Sequence, residues 1–225
     1  MVPIFKSSAP KELIDFIDSQ KSLGLTPSFE SLTQGVKPAL QKALCAEQGY
    51  VCAYCMQRIE PDGKKMKIEH WDSQANNKLN REKTTDYSIM LGCCVGKIKE
   101  NSCCDTFRGH IKKIENQQLK YNPADKNHHS LLGISYNIDG RISSFDKEFD
   151  SQLTKVLNLN DVYLCEKRKR IVFGIFKQIQ LLKSNNISYD LKKIIKEWEY
   201  KDSEGKYREF WGTAVYFLKL NKDVL

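Results

Sequence analysis

The chain has 225 residues, 40% of them hydrophobic, enough to bury a sizeable core and to exclude a disordered tail. Its 36 Lys+Arg against 28 Asp+Glu leave a net charge of +8, which favours a polyanionic partner or an acidic protein surface. No apolar run approaches the roughly 20 residues that span a bilayer, and the opening residues lack a basic-then-apolar signal pattern, so a cytoplasmic location is expected.

Residues 1–49 balance five basic against five acidic side chains and read as a helical scaffold. Ser8 and Pro10 start one helix through Leu13, Ile14, Phe16 and Ile17, and Gly24 and Pro27 break it. A second helix runs from about Pro38 through Leu40, Leu44 and Cys45 to a stop at Gly49. Over 50–123 the helical period disappears, and Cys, Gly, Asn and Asp mark turns around short strand-like pieces such as Met66–His70. From 124 onward comes a segment that alternates over 133–144 and reads as a hairpin turning at Asp139-Gly140. Leu153–Asn160 then leads into a long helix around Tyr163–Lys183, followed by helices over Leu191–Trp198 and Tyr207–Leu220. Residues 111–225 carry 21 basic and 15 acidic side chains, so most of the positive excess lies there. It includes the run Lys167-Arg168-Lys169-Arg170, which can face nucleic acid or an acidic partner.

Of eight cysteines, six lie between positions 52 and 104. In a reducing compartment such thiols favour metal binding over disulfides. Cys52-Ala-Tyr-Cys55 has the spacing that points two thiolates at one Zn²⁺, and the doublets Cys93-Cys94 and Cys103-Cys104 follow. Adjacent cysteines do not readily share one tetrahedral ion, so the economical site takes Cys52, Cys55 and one member of each doublet. The remaining members, with Cys45 and Cys165, pack as small apolar side chains. A lone Cys-x-x-Cys can also be a redox pair, but no βαβ pattern surrounds this one.

Inside that cysteine frame stands Lys67-Ile-Glu69-His70-Trp71. A histidine that activates water beside an acid that holds a divalent cation is the equipment of a metal-dependent nuclease. Neighbours on a strand point to opposite faces, so Glu69 and His70 need a strand end or a twist to serve one site. Asp105, directly after a candidate zinc ligand, can be the second ligand of the cation; its plain alternative is a helix N-cap. Arg108, about one turn later, can clamp a phosphate or lie on a solvated helix face, and His110 can reach the same place. His128 and His129 read as loop residues.

In order, Cys52-x-x-Cys55, Ile68-Glu69-His70-Trp71, Leu91-Gly92-Cys93-Cys94-x-Gly96, Cys104-Asp105-x-x-Arg108-Gly109 and Tyr121-Asn122-Pro123 resemble the HNH (ββα-metal) endonucleases. More narrowly they resemble the PtuB-type HNH nuclease of Septu and retron-linked anti-phage systems, over roughly 40–175. The resemblance implies an α+β fold in which a zinc-stapled ββα-metal core is embedded in a mainly helical chain. It makes His70 the general base, Glu69 and Asp105 the ligands of a catalytic Mg²⁺ or Mn²⁺, and Cys52, Cys55, Cys94 and Cys104 the ligands of a structural Zn²⁺. There are two departures. The family's Asn between the two halves of the motif is replaced here by Ile89, which leaves the orientation of the base to another group. Arg108 stands where Lys is common.

Such nucleases partner a PtuA-type ATPase, with a reverse transcriptase and its small RNA/DNA hybrid added in retrons. No GxxxxGK[ST] loop occurs in the chain, so ATP binding falls to another protein. The expected function is therefore metal-dependent endonuclease, acting on DNA or RNA as effector of a defence complex, with the helical region 124–225 as docking surface. The rivals are a non-catalytic zinc module that binds nucleic acid or organises a complex, and a Cys-x-x-Cys thiol oxidoreductase.

Overall fold

The computed structural model describes residues 1–72, 79–96, 102–110, 118–188 and 190–220, the side chain of His110 excepted. Helix and antiparallel sheet are mixed, with helix dominant. Helix α1 (Lys11–Ser22) starts behind Pro10, and α2 (Val36–Gln48) stops at Gly49, whose φ of 62° lets the chain turn away without a Cβ clash. Strands β1 (Met66–His70) and β2 (Met90–Cys94) pair antiparallel in the register Met66 to Cys94 and His70 to Met90. All five residues of β2 are buried, which is why no alternation marks it in the sequence. Helix α3 (Cys104–His110) packs on β2, while α2 covers β1 and β2.

The hairpin expected over 133–144 is β3 (Ile134–Tyr136) with β4 (Ile142–Ser144). Gly140, at its turn, has φ 85°, and a Cβ there would lie 2.1 Å from the Cys165 carbonyl oxygen. Helix α4 (Lys147–Lys155) has no counterpart in the sequence reading, which saw only a lead-in from Leu153. It forms because the Asp146 side chain accepts the Phe149 N–H at 2.9 Å and Phe149 and Leu153, one turn apart, bury fully. Helices α5 (Val162–Ser184) and α6 (Leu191–Glu199) follow as expected. The last, α7 (Trp211–Leu220), begins four residues later than the apolar pattern suggests. Tyr207 spends its N–H on the Gly49 carbonyl at 2.9 Å, and Phe210 takes a left-handed φ of 56°.

One cluster of buried side chains runs from Met1 and Ile4 through Leu40, Met90, Phe149 and Val172 to Phe217, so the N-terminal, cysteine-rich and C-terminal segments share a core. A smaller cluster of Ile175, Ile179, Ala214 and Leu218 carries the apolar face of α6. None of the described helices is long and apolar enough to cross a membrane.

The basic run does not form a continuous charged patch. Successive helical residues are turned by about 100°, and Arg168 points into the core, fully buried. There Nη1 and Nη2 donate to the carbonyls of Gly140 and Leu159, both at 2.9 Å. Arg168 ties the hairpin turn and the α4–α5 connection to α5. Arg168→Ala is expected to cost about 3 kcal/mol, because both carbonyls stay buried without their charged donor. Arg170→Ala, on the exposed side, should fall within about 0.5 kcal/mol. Equal urea midpoints for the two variants would refute this assignment.

Candidate metal centre and its neighbouring side chains

The Cys-x-x-Cys segment is a tight knuckle after α2. Val51 and Arg58 bridge its base, the Cys52 N–H donates to Gln57 O at 2.8 Å and the Met56 N–H to Cys52 O at 3.1 Å. Met56 closes it at φ 64°. Ala53 N–H donates to Gly92 O at 3.0 Å, which pins the knuckle to β2. Gln48, buried at the end of α2, welds the same junction. Its Nε2 donates to Gly92 O at 2.8 Å and Val51 O at 2.9 Å, and its Oε1 accepts the Gly92 N–H at 2.7 Å. Gln48→Leu removes the partner of the Gly92 N–H and of the Val51 carbonyl, leaving Gly92 O with the Ala53 N–H, and is expected to cost roughly 2–4 kcal/mol in urea unfolding. A neutral result would mean that the knuckle is held elsewhere.

Cys52 and Cys55 from the knuckle, Cys94 from the end of β2 and Cys104 from the start of α3 bring four buried sulfurs within 4.8 Å of one another. The Cys52–Cys104 and Cys55–Cys94 sulfur separations are 3.8 and 3.7 Å. A tetrahedral ion with Zn–S bonds of about 2.3 Å has sulfur–sulfur edges of about 3.8 Å, so the donor set fits Zn²⁺ in type and size. Cys104 holds a left-handed φ of 58°, and its N–H donates to Leu157 O at 2.8 Å, so the loop after α4 sets this ligand. Cys93 and Cys103 are buried but stand outside the four, and burial keeps the Cys93 thiol well above its ordinary range. With Cys52 and Cys55 almost inaccessible, the knuckle does not offer the exposed thiol that an oxidoreductase needs.

Glu69 and His70 project to opposite faces of β1, as the period of two requires. Lys67 and Glu69 share the face toward α3, and the Lys67 ammonium lies 3.4 Å from Asp105. Asp105 lies near enough to Glu69 for the two carboxyls to interact electrostatically. Burial, then the neighbouring Asp105 carboxylate, push Glu69 well above the usual carboxylate range, against the pull of Arg108. Arg108 is buried rather than on a solvated helix face, and its Nη1 donates to Glu69 Oε1 at 2.9 Å. Its Nε and Nη2 have no partner among the described residues. Tyr54, the large residue inside the knuckle, is fully buried with its hydroxyl 3.4 Å from Glu69.

His70 ends β1, and the Trp71 N–H beyond it donates to Ile89 O at 2.9 Å. The His70 Nε2 lies 2.9 Å from Thr84 O. A carbonyl only accepts, so Nε2 carries the proton and Nδ1 holds the lone pair of the neutral ring. Burial pushes the ring below its ordinary pKa of 6.5, partly offset by Thr84 and Asp105, which keeps it neutral at pH 7. The ring also meets Phe29 edge to face, centroids 4.7 Å apart at 85°. The Thr84 carbonyl thus helps to orient the histidine ring. Ile89 contributes its carbonyl to the strand end and buries its side chain.

Of the other sequence candidates, His110 closes α3 and its side chain lies outside the described residues. His128 is structural: its Nδ1 accepts the Asn122 N–H at 3.0 Å. Tyr54, Thr84 and Phe29 do not stand out as candidates in the sequence. An aromatic ring within the Cys-x-x-Cys knuckle is a signal for Tyr54, but Thr84 meets His70 through its backbone carbonyl, which has no sequence signature.

Four buried thiols that could hold a metal ion lie at the end of β2, which pairs with the strand carrying Glu69 and His70, and at the start of the helix carrying Asp105. No family model matches the chain. Two curated relatives carry the likeness further. The chain is 23% identical to the "Retron Ec83 putative HNH endonuclease" of Escherichia coli, across 77% of its length and 80% of the relative's. It is 24% identical to the "Retron Vc95 putative HNH endonuclease" of Vibrio cholerae, across 89% of its length and 96% of the relative's. The resemblance to HNH nucleases of the retron type is therefore borne out over most of the chain.

Proposed function

We propose that the chain is a metal-dependent HNH endonuclease that hydrolyses nucleic-acid phosphodiester bonds within an anti-phage defence complex. The observation that supports this reading is that Glu69 of β1 and Asp105 of α3 act on each other, while β1 pairs with β2, whose end holds Cys94, and α3 starts at Cys104 of the same four-thiol cluster. In this reading β1, β2 and α3 are the ββα-metal core and the thiols hold structural Zn²⁺, which keeps the carboxylates in register without a large local core.

His70 takes the proton of the attacking water at Nδ1, while the Nε2–H bond to Thr84 holds the tautomer that makes Nδ1 basic. Glu69 and Asp105 would hold a catalytic Mg²⁺ or Mn²⁺. When bound, that cation supplies stabilisation of the charge that develops on the phosphate and the leaving oxygen. Arg108 orients Glu69 and has donors left for a phosphate; His110 is a second phosphate contact in this reading.

The retron names of the relatives support a setting with a nucleic-acid substrate, and by resemblance a PtuA-type ATPase and a reverse transcriptase with its RNA/DNA hybrid as partners in the cytoplasm. The helical C-terminal region, with Lys169, Arg170 and Lys177 outward on α5, is the docking surface. One observation favours the non-catalytic zinc module instead: Glu69 is nearly inaccessible and already paired with Arg108. Assaying plasmid DNA and total RNA with and without Mn²⁺, for wild type and His70→Ala purified with their native neighbours, decides between them. Undiminished metal-dependent cleavage by the variant removes the catalytic assignment.

A further inference from the structure

The seam between β1 and α3 carries four ionisable side chains in two crossing pairs. Lys67 and Glu69, two residues apart, share one face of β1, and Asp105 and Arg108, about one turn apart on α3, meet them there. The Lys67 ammonium lies 3.4 Å from Asp105, and the Arg108 guanidinium donates to Glu69 at 2.9 Å. The two carboxyls act on each other between these pairs. Each carboxyl that would hold the catalytic cation is therefore already matched to a cation of the chain itself.

The two pairs differ in depth. The side chains of Arg108 and Glu69 are 3% and 8% exposed, whereas those of Lys67 and Asp105 are 41% and 25% exposed, so the outer pair is the easier one to open. The two carboxyls can do no more than balance the two resident cations. A divalent cation added alone leaves its charge unmatched in a site with little water to screen it. A phosphodiester supplies negative charge at the same place. The inner guanidinium favours such a group, because its Nε and Nη2 are buried with no partner among the described residues, a cost that a phosphate oxygen relieves. Lys67, on a long flexible stem at the exposed edge, can turn to the phosphate while β1 stays in place.

We infer that Lys67 and Arg108 couple loading of the cation to binding of the nucleic acid. Without nucleic acid they pair with Asp105 and Glu69 and compete with the cation; when a phosphate is bound they turn to it and release the carboxyls. The inference rests on the nuclease reading, because it takes Glu69 and Asp105 as the cation's ligands. It gives Lys67 a role, and it reconciles the pairing of Glu69 with Arg108 and a place among those ligands.

The coupling is read by binding, in the full chain carrying His70→Ala so that nothing is cut. Fluorescence anisotropy of labelled duplex DNA, single-stranded DNA and single-stranded RNA gives nucleic-acid affinity with and without Mn²⁺ at equal ionic strength, and calorimetry gives Mn²⁺ affinity without oligonucleotide. At least one oligonucleotide is expected to bind about tenfold or more tightly with Mn²⁺, within the usual range of coupling between linked sites. Simple screening by a divalent ion would weaken binding instead. Lys67→Met added to this chain should tighten Mn²⁺ alone about threefold or more and reduce the coupling to about twofold or less, while Lys67→Arg keeps both at the parent values. Because Lys67 is partly exposed, the urea midpoint of Lys67→Met should stay near the parent's. No gain from Mn²⁺ with any of the oligonucleotides, or unchanged Mn²⁺ affinity in Lys67→Met, overturns the coupling; the nuclease reading still stands if Glu69→Gln abolishes Mn²⁺ binding and wild type cuts. Mn²⁺ binding indifferent to Glu69→Gln refutes the ligand assignment, and the coupling falls with it.

Discussion

Replacing Cys104 by serine is expected to release the bound metal and to destabilise the chain by more than the roughly 4 kcal/mol that marks exceptional single substitutions. Metal binding at a structural thiolate site is folding free energy, about 10–16 kcal/mol in isolated zinc-finger peptides near pH 7. An ion at the four thiols would tie together the 52–55 knuckle, the end of β2, the start of α3 and, through the Cys104 N–H, the loop after α4. Cys104 also sits in a left-handed conformation, a backbone cost that the other contacts must offset. Without the ion, four buried sulfurs are left with one another as poor hydrogen-bond partners. Cys93→Ser is the informative partner variant. Cys93 is just as buried but lies outside the four, so it should keep one equivalent of zinc and lose only packing. Metal analysis with urea unfolding reads both. A Cys104→Ser protein with full zinc and an unchanged midpoint, or a Cys93→Ser protein without zinc, would show that the ligand set is different.

His70→Ala is expected to lower nucleic-acid cleavage by about 10²–10⁴, the range that a positioned general base contributes. Zinc content should stay at one equivalent, because His70 stands apart from the four sulfurs. The Thr84 carbonyl loses its donor in this variant, so a modest fall in stability accompanies the loss of rate. The non-catalytic module makes the opposite forecast. Phage defence in cells would survive His70→Ala and fail on Cys52→Ser. Measuring both variants in both assays separates a protein whose metal supports chemistry from one whose metal only supports shape.

Much of the site could be read from the chain because its chemistry is written in side chains at short spacings. The Cys52-Ala-Tyr-Cys55 knuckle, the later doublets, and Glu69-His70 with Asp105 are all side-chain statements. Position then distinguished equally buried thiols: the sulfurs of Cys94 and Cys104 lie within 4.8 Å of those of Cys52 and Cys55, consistent with the pattern of the resemblance. The alternation of strand faces was also legible, and it is why Glu69 turns to Asp105 and Arg108 while His70 turns to Thr84 and Phe29.

What stayed illegible was carried by the backbone or by long-range contacts. Strand β2 is buried on both faces and has no period to read. Arg168 belongs to a run that looks like solvated charge, and only the packing of α5 on the hairpin turns it inward to two carbonyls. Thr84 acts through its carbonyl, and Phe29 touches His70 across 41 positions of sequence. By itself the sequence determined which atoms are available for chemistry: the cysteine thiols at 52, 55, 94 and 104, the carboxyls of Glu69 and Asp105 and the imidazole of His70. The tertiary structure decided how far apart the four sulfurs implied by the resemblance stand, and that His70 Nε2 meets the Thr84 carbonyl. Those outcomes depend on distances and on backbone hydrogen bonds, and neither is encoded in the identity of any one residue.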